Sequence, residues 1–250
     1  MPSKPLHIAV LECDTPVDPV REKLQGYGDI FERLLQTGFQ SLGQDAADIE
    51  LKVSKWDVVN HEVYPTPEEV DALLLTGSKH NSFENDSWIV NLTSYVKDVI
   101  EIHQKPVVGI CFGHQIIARA LGSRVARNTK GWEISVEKFA LTDQGKELFG
   151  KDELALHQMH RDIVYDLPPD CINLGFSPVC EIQGFYRPKK IITVQAHPEF
   201  TEFIVSQILE LRHGQKIFDD ALYESGISRV ANPHDGLLVA SAICRFLLGL

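Results

Sequence analysis

Basic residues are the minority charge in this chain of 250: 24 Lys and Arg stand against 35 Asp and Glu, a formal net charge of −11. No basic stripe runs along it. The densest basic spot, Arg187 with Lys189 and Lys190, has the composition of a solvated turn. That excludes a phosphate-backbone footprint, and no nucleic-acid partner is expected. No apolar run reaches membrane-spanning length, so no membrane partner is expected either. The opening MPSKPLHIAVLE lacks the apolar segment and small-residue cleavage site of a secretion leader. Cysteines are few, odd in number at five, and show no C-x-x-C spacing. Such usage fits reduced thiols in the cytoplasm. Clustered metal ligands are missing, so no metal is expected. Internal repeats, low-complexity tracts and linkers are missing too. Residues 1–250 are therefore read as a single domain.

What is present is an alternation of strand and helix. Residues 6–12 and 49–59 read as strands, and Ala72 to Leu75 as a third, short and apolar. The stretch 13–29, rich in Pro, Asp and Gly, reads as a loop. Trp88, Ile89, Leu92, Tyr95, Val96, Val99 and Ile100 recur at three- and four-residue steps, the period of a helix. This alternation predicts an α/β fold, a mostly parallel central sheet with helices on both faces. From Gly131 onward the pattern changes to short alternating runs at 132–141, 153–165, 172–177 and 179–186. These predict an antiparallel extension in the second half. Residues 191–195 read as a buried strand, and 201–212 and 236–248 as helices.

The chain is organised around residues 105–121, KPVVGICFGHQIIARAL. Val107 to Ile110 is a buried-strand run, and the helical spacing of Ile116, Ile117, Ala120 and Leu121 begins right after Cys111. The frame Gly109-Ile110-Cys111-Phe112-Gly113 is G-x-C-x-G, the glycine spacing of a nucleophile elbow. A turn that sharp presses the flanking backbones together and leaves no room for a Cβ at either glycine. The helix N-terminus favours negative charge on the sulfur. The competing reading, an inert core cysteine, accounts for neither glycine. Cys13, Cys171, Cys180 and Cys244 lack this context and read as small core residues.

A thiol nucleophile needs a base and a group to orient that base. His197 closes the 191–195 strand, which puts it at the same sheet edge as Cys111. Glu199 follows two residues later, placed to accept a hydrogen bond from the far imidazole nitrogen. A plain helix start, with Glu199 complementing the dipole, is the alternative.

GICFGHQ at 109–115 with VQAHPEF at 194–200 resembles the class I glutamine amidotransferases of the triad type. The resemblance covers nearly the whole chain. GWEIS at 131–135 resembles most the branch that holds the glutaminase domain of GMP synthase and the free-standing γ-glutamyl peptidases. It implies a flavodoxin-like sheet and a nucleophile Cys111, with His197 as general base and acid and Glu199 as its orienter. TGS at 76–78 falls at the family's oxyanion loop, so the backbone N–H groups of Gly77 and Phe112 would form the hole. Gln115 would lie near the substrate's amino-acid end. In HQMHRD at 157–162, His160 and Asp162 are candidates for the substrate's ammonium or carboxylate, with a structural role in the strand and its turn as the alternative. His114 is expected to pack. No metal or organic cofactor is required.

The implied reaction is cleavage of a γ-amide through a γ-glutamyl thioester. Two leaving groups are compatible with it. Ammonia would make the protein a glutaminase; the chain holds no P-loop, so a synthetase partner would be a separate chain. A peptide or amino acid would make it a free-standing γ-glutamyl peptide hydrolase. A non-catalytic regulatory or binding subunit on the same fold is the third reading. The polar loop from Ser78 to Asp86 leaves the oxyanion strand and is expected to border the leaving group.

Overall fold

β-Branched and leucine-rich runs four to seven residues long set the centre of the molecule. The computed structural model describes residues 5–250, so MPSK, the start of the segment read for a leader, lies outside the described residues. The strands are β1 (Leu6–Glu12), β2 (Leu51–Asp57), β3 (Ala72–Leu75), β4 (Val107–Ile110), β5 (Val125–Arg127), β6 (Glu133–Leu141), β7 (Glu153–His160), β8 (Asp162–Val164), β9 (Ile172–Phe176), β10 (Gly184–Arg187) and β11 (Ile191–Val194). The helices are α1 (Asp18–Leu24), α2 (Tyr27–Ser41), α3 (Ser87–Glu101), α4 (Phe112–Ala120), α5 (Asp143–Phe149), α6 (Glu202–Gly214), α7 (Asp220–Arg229) and α8 (Gly236–Leu248).

One nine-stranded sheet has the order β2-β1-β3-β4-β11-β10-β9-β6-β7. Its first five strands are parallel. From β11 onward the pairing is antiparallel, and β5 and β8 form a separate antiparallel pair. The expected parallel sheet and antiparallel extension are both present.

Period-two side-chain alternation explains why the parallel strands are apolar throughout. In β1, Ala9 and Leu11 enter one core with α3 and α4, while Ile8 and Val10 enter the other with α2 and α8. β3 divides the same way, with Leu73 and Leu75 on one face and Leu74 on the other. Each face is sealed by helices with an apolar stripe, Phe31, Leu35 and Phe39 in α2 and Ile89, Leu92, Val96 and Val99 in α3.

Two sequence readings are corrected. The stretch 13–29 is not all loop, because α1 occupies Asp18–Leu24 with a proline in its first turn. That proline reads as a breaker but is tolerated at a helix start. The run at 179–186 yields strand only from Gly184. α5 and α7 are too short and polar to show a periodic stripe. Asp86 sits at the N-cap of α3 but its side chain makes no capping bond. Among the described residues, no helix is long and apolar enough to cross a membrane.

Candidate active site

Three adjacent parallel strands, β3, β4 and β11, end at one edge of the sheet, where open α/β sheets present their crevice. Gly77 follows β3, Cys111 follows β4, and His197 follows β11.

Cys111 has φ 51° and ψ −100°, a left-handed conformation that disfavours side chains. The surrounding backbone enforces it. The Cys111 N–H donates to Val194 O at 2.9 Å, and Gly113 N–H donates to Thr76 O at 3.2 Å. A Cβ on Gly109 would stand 2.8 Å from the Gly113 carbonyl, and one on Gly113 would stand 2.5 Å from Leu75 O. The two glycines of the frame thus permit the turn, and α4 begins at Phe112 directly after the sulfur.

His197 is 4 % exposed. Its N–H donates to His157 O at 2.8 Å, and its ring stacks on Phe200 with centroids 3.9 Å apart. Nδ1 lies 2.7 Å from Glu199 Oε1. Cys111 lies close enough for its charge to act on the ring. Burial pulls the imidazolium pKa down, but the Glu199 carboxylate, hydrogen-bonded to the ring, and the charge of Cys111 outweigh it and hold it at about 10.

The N–H groups of Gly77 and Phe112 find no acceptor among the described residues. Gly77 also borders both reactive side chains: a Cβ there would fall 2.7 Å from His197 Cε1 and 3.6 Å from Cys111 Cβ.

The other expected residues are more embedded in protein. Gln115 is buried; its Nε2 donates to Asp162 O at 2.9 Å and to Gln195 Oε1 at 3.0 Å, and its Oε1 accepts from Ser82 Oγ at 2.7 Å. His160 is buried with Nε2 3.0 Å from Glu133 Oε2. Glu133 in turn accepts from Ser177 Oγ and Gln183 Nε2. The Asp162 carboxylate pairs with Arg127 Nε at 2.6 Å. Each therefore has a structural partner, and Gln115 uses both its N–H groups on protein. His114 packs as expected, buried on Phe185 with Nδ1 2.8 Å from Thr193 Oγ1. The loop after β3 is pinned, with Arg119 donating to Ser82 O and Glu84 O and Lys79 paired to Asp14.

Sequence reasoning missed several neighbours. Gln195 Nε2 donates to Cys111 Sγ at 3.5 Å, and Gln195 lies within the VQAHPE segment already singled out. Asp14 follows β1 at the same sheet edge, so the strand-end rule that found Cys111 would have found it. Arg212 and Tyr27, from α6 and the start of α2, both feel the Cys111 charge. Neither sits in a motif, and only the fold brings them to the sulfur.

Residues 27–204 match the family model for class-I glutamine amidotransferases. A glutamine amidotransferase-like protein of Schizosaccharomyces pombe is 35% identical, covering 97% of this chain and 98% of that protein. Gamma-glutamyl peptidase 2 of Arabidopsis thaliana is 30% identical over 68% of this chain and 72% of its own. A solved glutamine amidotransferase from Thermotoga maritima shares the fold with a TM-score of 0.74 at 20% identity, over 98% of this chain and 99% of that one. The elbow, the sheet order and these likenesses converge: the chain belongs to the class-I glutamine amidotransferase family.

Proposed function

We propose that this chain is a cysteine hydrolase of γ-glutamyl amides, with residues 1–250 acting as one domain and Cys111, His197 and Glu199 as its triad. The observation that carries the reading is that Cys111 and His197 both border Gly77, with His197 Nδ1 2.7 Å from Glu199 Oε1 and Cys111 at positive φ. A non-catalytic subunit would have no use for a strained cysteine held against an imidazolium.

The Cys111 thiolate attacks the γ-carbonyl and forms the C–S bond. The oxyanion accepts hydrogen bonds from the N–H groups of Gly77 and Phe112, each such donor contributing roughly 3 kcal/mol. His197 gives its proton to the departing nitrogen as the C–N bond breaks. It then takes a proton from water, whose oxygen attacks the thioester and releases glutamate and the Cys111 thiolate. Glu199 stabilises the imidazolium and fixes its tautomer. The chemistry is complete without metal or cofactor.

The leaving group is read as an amino acid or peptide, on the strength of relatives named gamma-glutamyl peptidase. The second reading, ammonia supplied to a separate synthetase chain, draws on a likeness to a GMP synthase component from Thermoplasma acidophilum that, at 24% identity, carries the fold. All five cysteines are free, which fits a reducing, cytoplasmic compartment. The test is a release assay with the purified chain. Glutamine, glutathione and other γ-glutamyl peptides are compared by kcat/KM, and the γ-glutamyl adduct on Cys111 is sought by mass spectrometry. Peptides should exceed glutamine; no adduct and no release with any of them would overturn the reading.

A further inference from the structure

Two arginines stacked on one tryptophan have no anionic partner. The Arg161 guanidinium lies 5.0 Å from the centre of the Trp132 ring and the Arg212 guanidinium 4.8 Å from it. Arg212 also lies 5.7 Å from Phe218, which meets Trp132 edge to face. Among the described residues, neither guanidinium makes an ion pair or a hydrogen bond, and Arg161 Nε and Arg212 Nη1 are buried without a partner. An arginine carries five N–H donors, and a buried donor left without a partner costs free energy.

The position is specific. Trp132 immediately precedes Glu133, which contacts His160, and Arg161 follows His160. Trp132, Phe218 and Tyr27 share one apolar cluster with Phe200, the residue stacked on His197. Burial holds the Arg212 pKa down, and the charge that most opposes this is that of Cys111. The Asp14 carboxylate also acts on Arg212, but it is already held by the Lys79 backbone N–H and Nζ. Arg161 adds like-charge repulsion. Packing against an aromatic ring explains one arginine there; it does not explain two cations with unused donors.

We propose that Arg161 and Arg212, stacked on Trp132, form a carboxylate-binding subsite beside Cys111, and that the substrate is a γ-glutamyl compound whose carboxylate completes it. The inference rests on the γ-glutamyl hydrolase reading. A planar carboxylate matches the guanidinium fork and neutralises the pair. A γ-glutamyl peptide offers two such groups, the α-carboxylate of its glutamyl half and the C-terminal carboxylate of the leaving half.

The experiment uses a γ-glutamyl dipeptide in three forms: the dicarboxylate, the form amidated at the C-terminus, and the form amidated at the glutamyl α-carboxylate. Binding is measured by calorimetry on the full-length Cys111→Ala protein, which needs no turnover, and hydrolysis is measured on the intact protein. One amidated form should bind roughly 10- to 100-fold more weakly, the range of a lost charge-assisted pair. Its identity names the carboxylate. Arg212→Gln should weaken the dicarboxylate by a similar factor and leave that amidated form unchanged, and Arg161→Gln should act in the same direction. Equal weakening of all three forms by Arg212→Gln, or no effect of either amidation, overturns the subsite. Arginine-dependent binding with no hydrolysis by the intact protein leaves the subsite standing and overturns the hydrolase reading.

Discussion

Gly77 lies against the imidazole of His197 so closely that a Cβ on it would come 2.7 Å from the ring. Gly77 also carries one of the two free N–H groups at the sulfur. A methyl there pushes the ring off Cys111 and shifts the donor. Gly77→Ala should lower kcat by about 100-fold or more, the scale of a lost oxyanion donor. Overpacking should lower stability by roughly 1–3 kcal/mol. Steady-state kinetics with denaturant unfolding checks both; a variant with normal kcat would show that neither the ring nor the N–H needs that contact.

Cys111→Ala should abolish turnover, and Cys111→Ser should be nearly inactive because a hydroxyl is much harder to deprotonate. A γ-glutamyl electrophile should label Cys111 alone. Burial pushes the thiol pKa up at the other four, to about 12 at Cys244. Cys111→Gly should be more stable than Cys111→Ala by about 1 kcal/mol, since only glycine adopts φ 51° freely. Peptide mapping after labelling and thermal unfolding decide these points. Labelling at Cys13 or Cys180 with Cys111 untouched would sink the assignment.

Glu199→Gln should leave the fold intact and lower kcat more than KM, because in the proposed triad the carboxylate acts on the imidazolium and not on the substrate. Losing its charge also lowers the His197 pKa from about 10. The alkaline limb of the pH–rate profile should therefore move to lower pH. A KM-only change would make Glu199 a substrate contact.

Two other histidines set the acid limit of stability. Burial holds His114 and His157 at a pKa of about 3, His114 helped by the charge of His160 and His157 by those of His234 and His197. A histidine ordinarily titrates near 6.5. Between these values the unfolded chain binds the proton and the folded chain does not. The stability from neutral burial is thus full above about pH 6.5 and falls as pH drops toward 3, by up to ~1.4 kcal/mol per pH unit per histidine. Urea unfolding from pH 7 to 4 should show this slope, and His114→Gln should reduce it. An unchanged slope would mean His114 is charged in the folded protein.

The loop after β3 carries the last prediction. A Gly/Ser linker in place of residues 79–85 removes Lys79 from Asp14, Asn81 from Arg127 and Ser82 from Gln115. Stability should fall. If the loop borders the leaving group, the ratio of kcat/KM for glutamine against γ-glutamyl peptides should change while alkylation of Cys111 by a small reagent does not. Equal losses for both substrates would reduce the loop to a support for the oxyanion strand.

What the sequence makes legible here is local. The elbow reads from glycine spacing because Gly109 and Gly113 press on each other within five residues, although the tightest contact at Gly113 is with Leu75 O of the neighbouring strand. The parallel strands read because apolar residues on both faces of a strand leave no polar alternation. The helix at 18–24 is hidden by a proline that also starts helices. Arg161 stands between two residues singled out as candidates, yet nothing local distinguishes it from any surface arginine. Its meaning comes from Trp132 and Arg212, 29 and 51 residues away in the chain. Pairings of that range belong to the tertiary structure.

The placement of β11 between β4 and β10 has a bearing on how the protein is made. β3 and β4 are synthesised early and can pair with each other, but the histidine at the end of β11 arrives about 80 residues later. During translation Cys111 therefore lacks His197 until the last parallel strand seats, a long-range step and so a slow one. On the proposed triad, the closing of the sheet is what would switch reactivity on. A chain stalled or cleaved before residue 191 would carry the cysteine but neither the Val194 carbonyl that helps hold its turn nor His197.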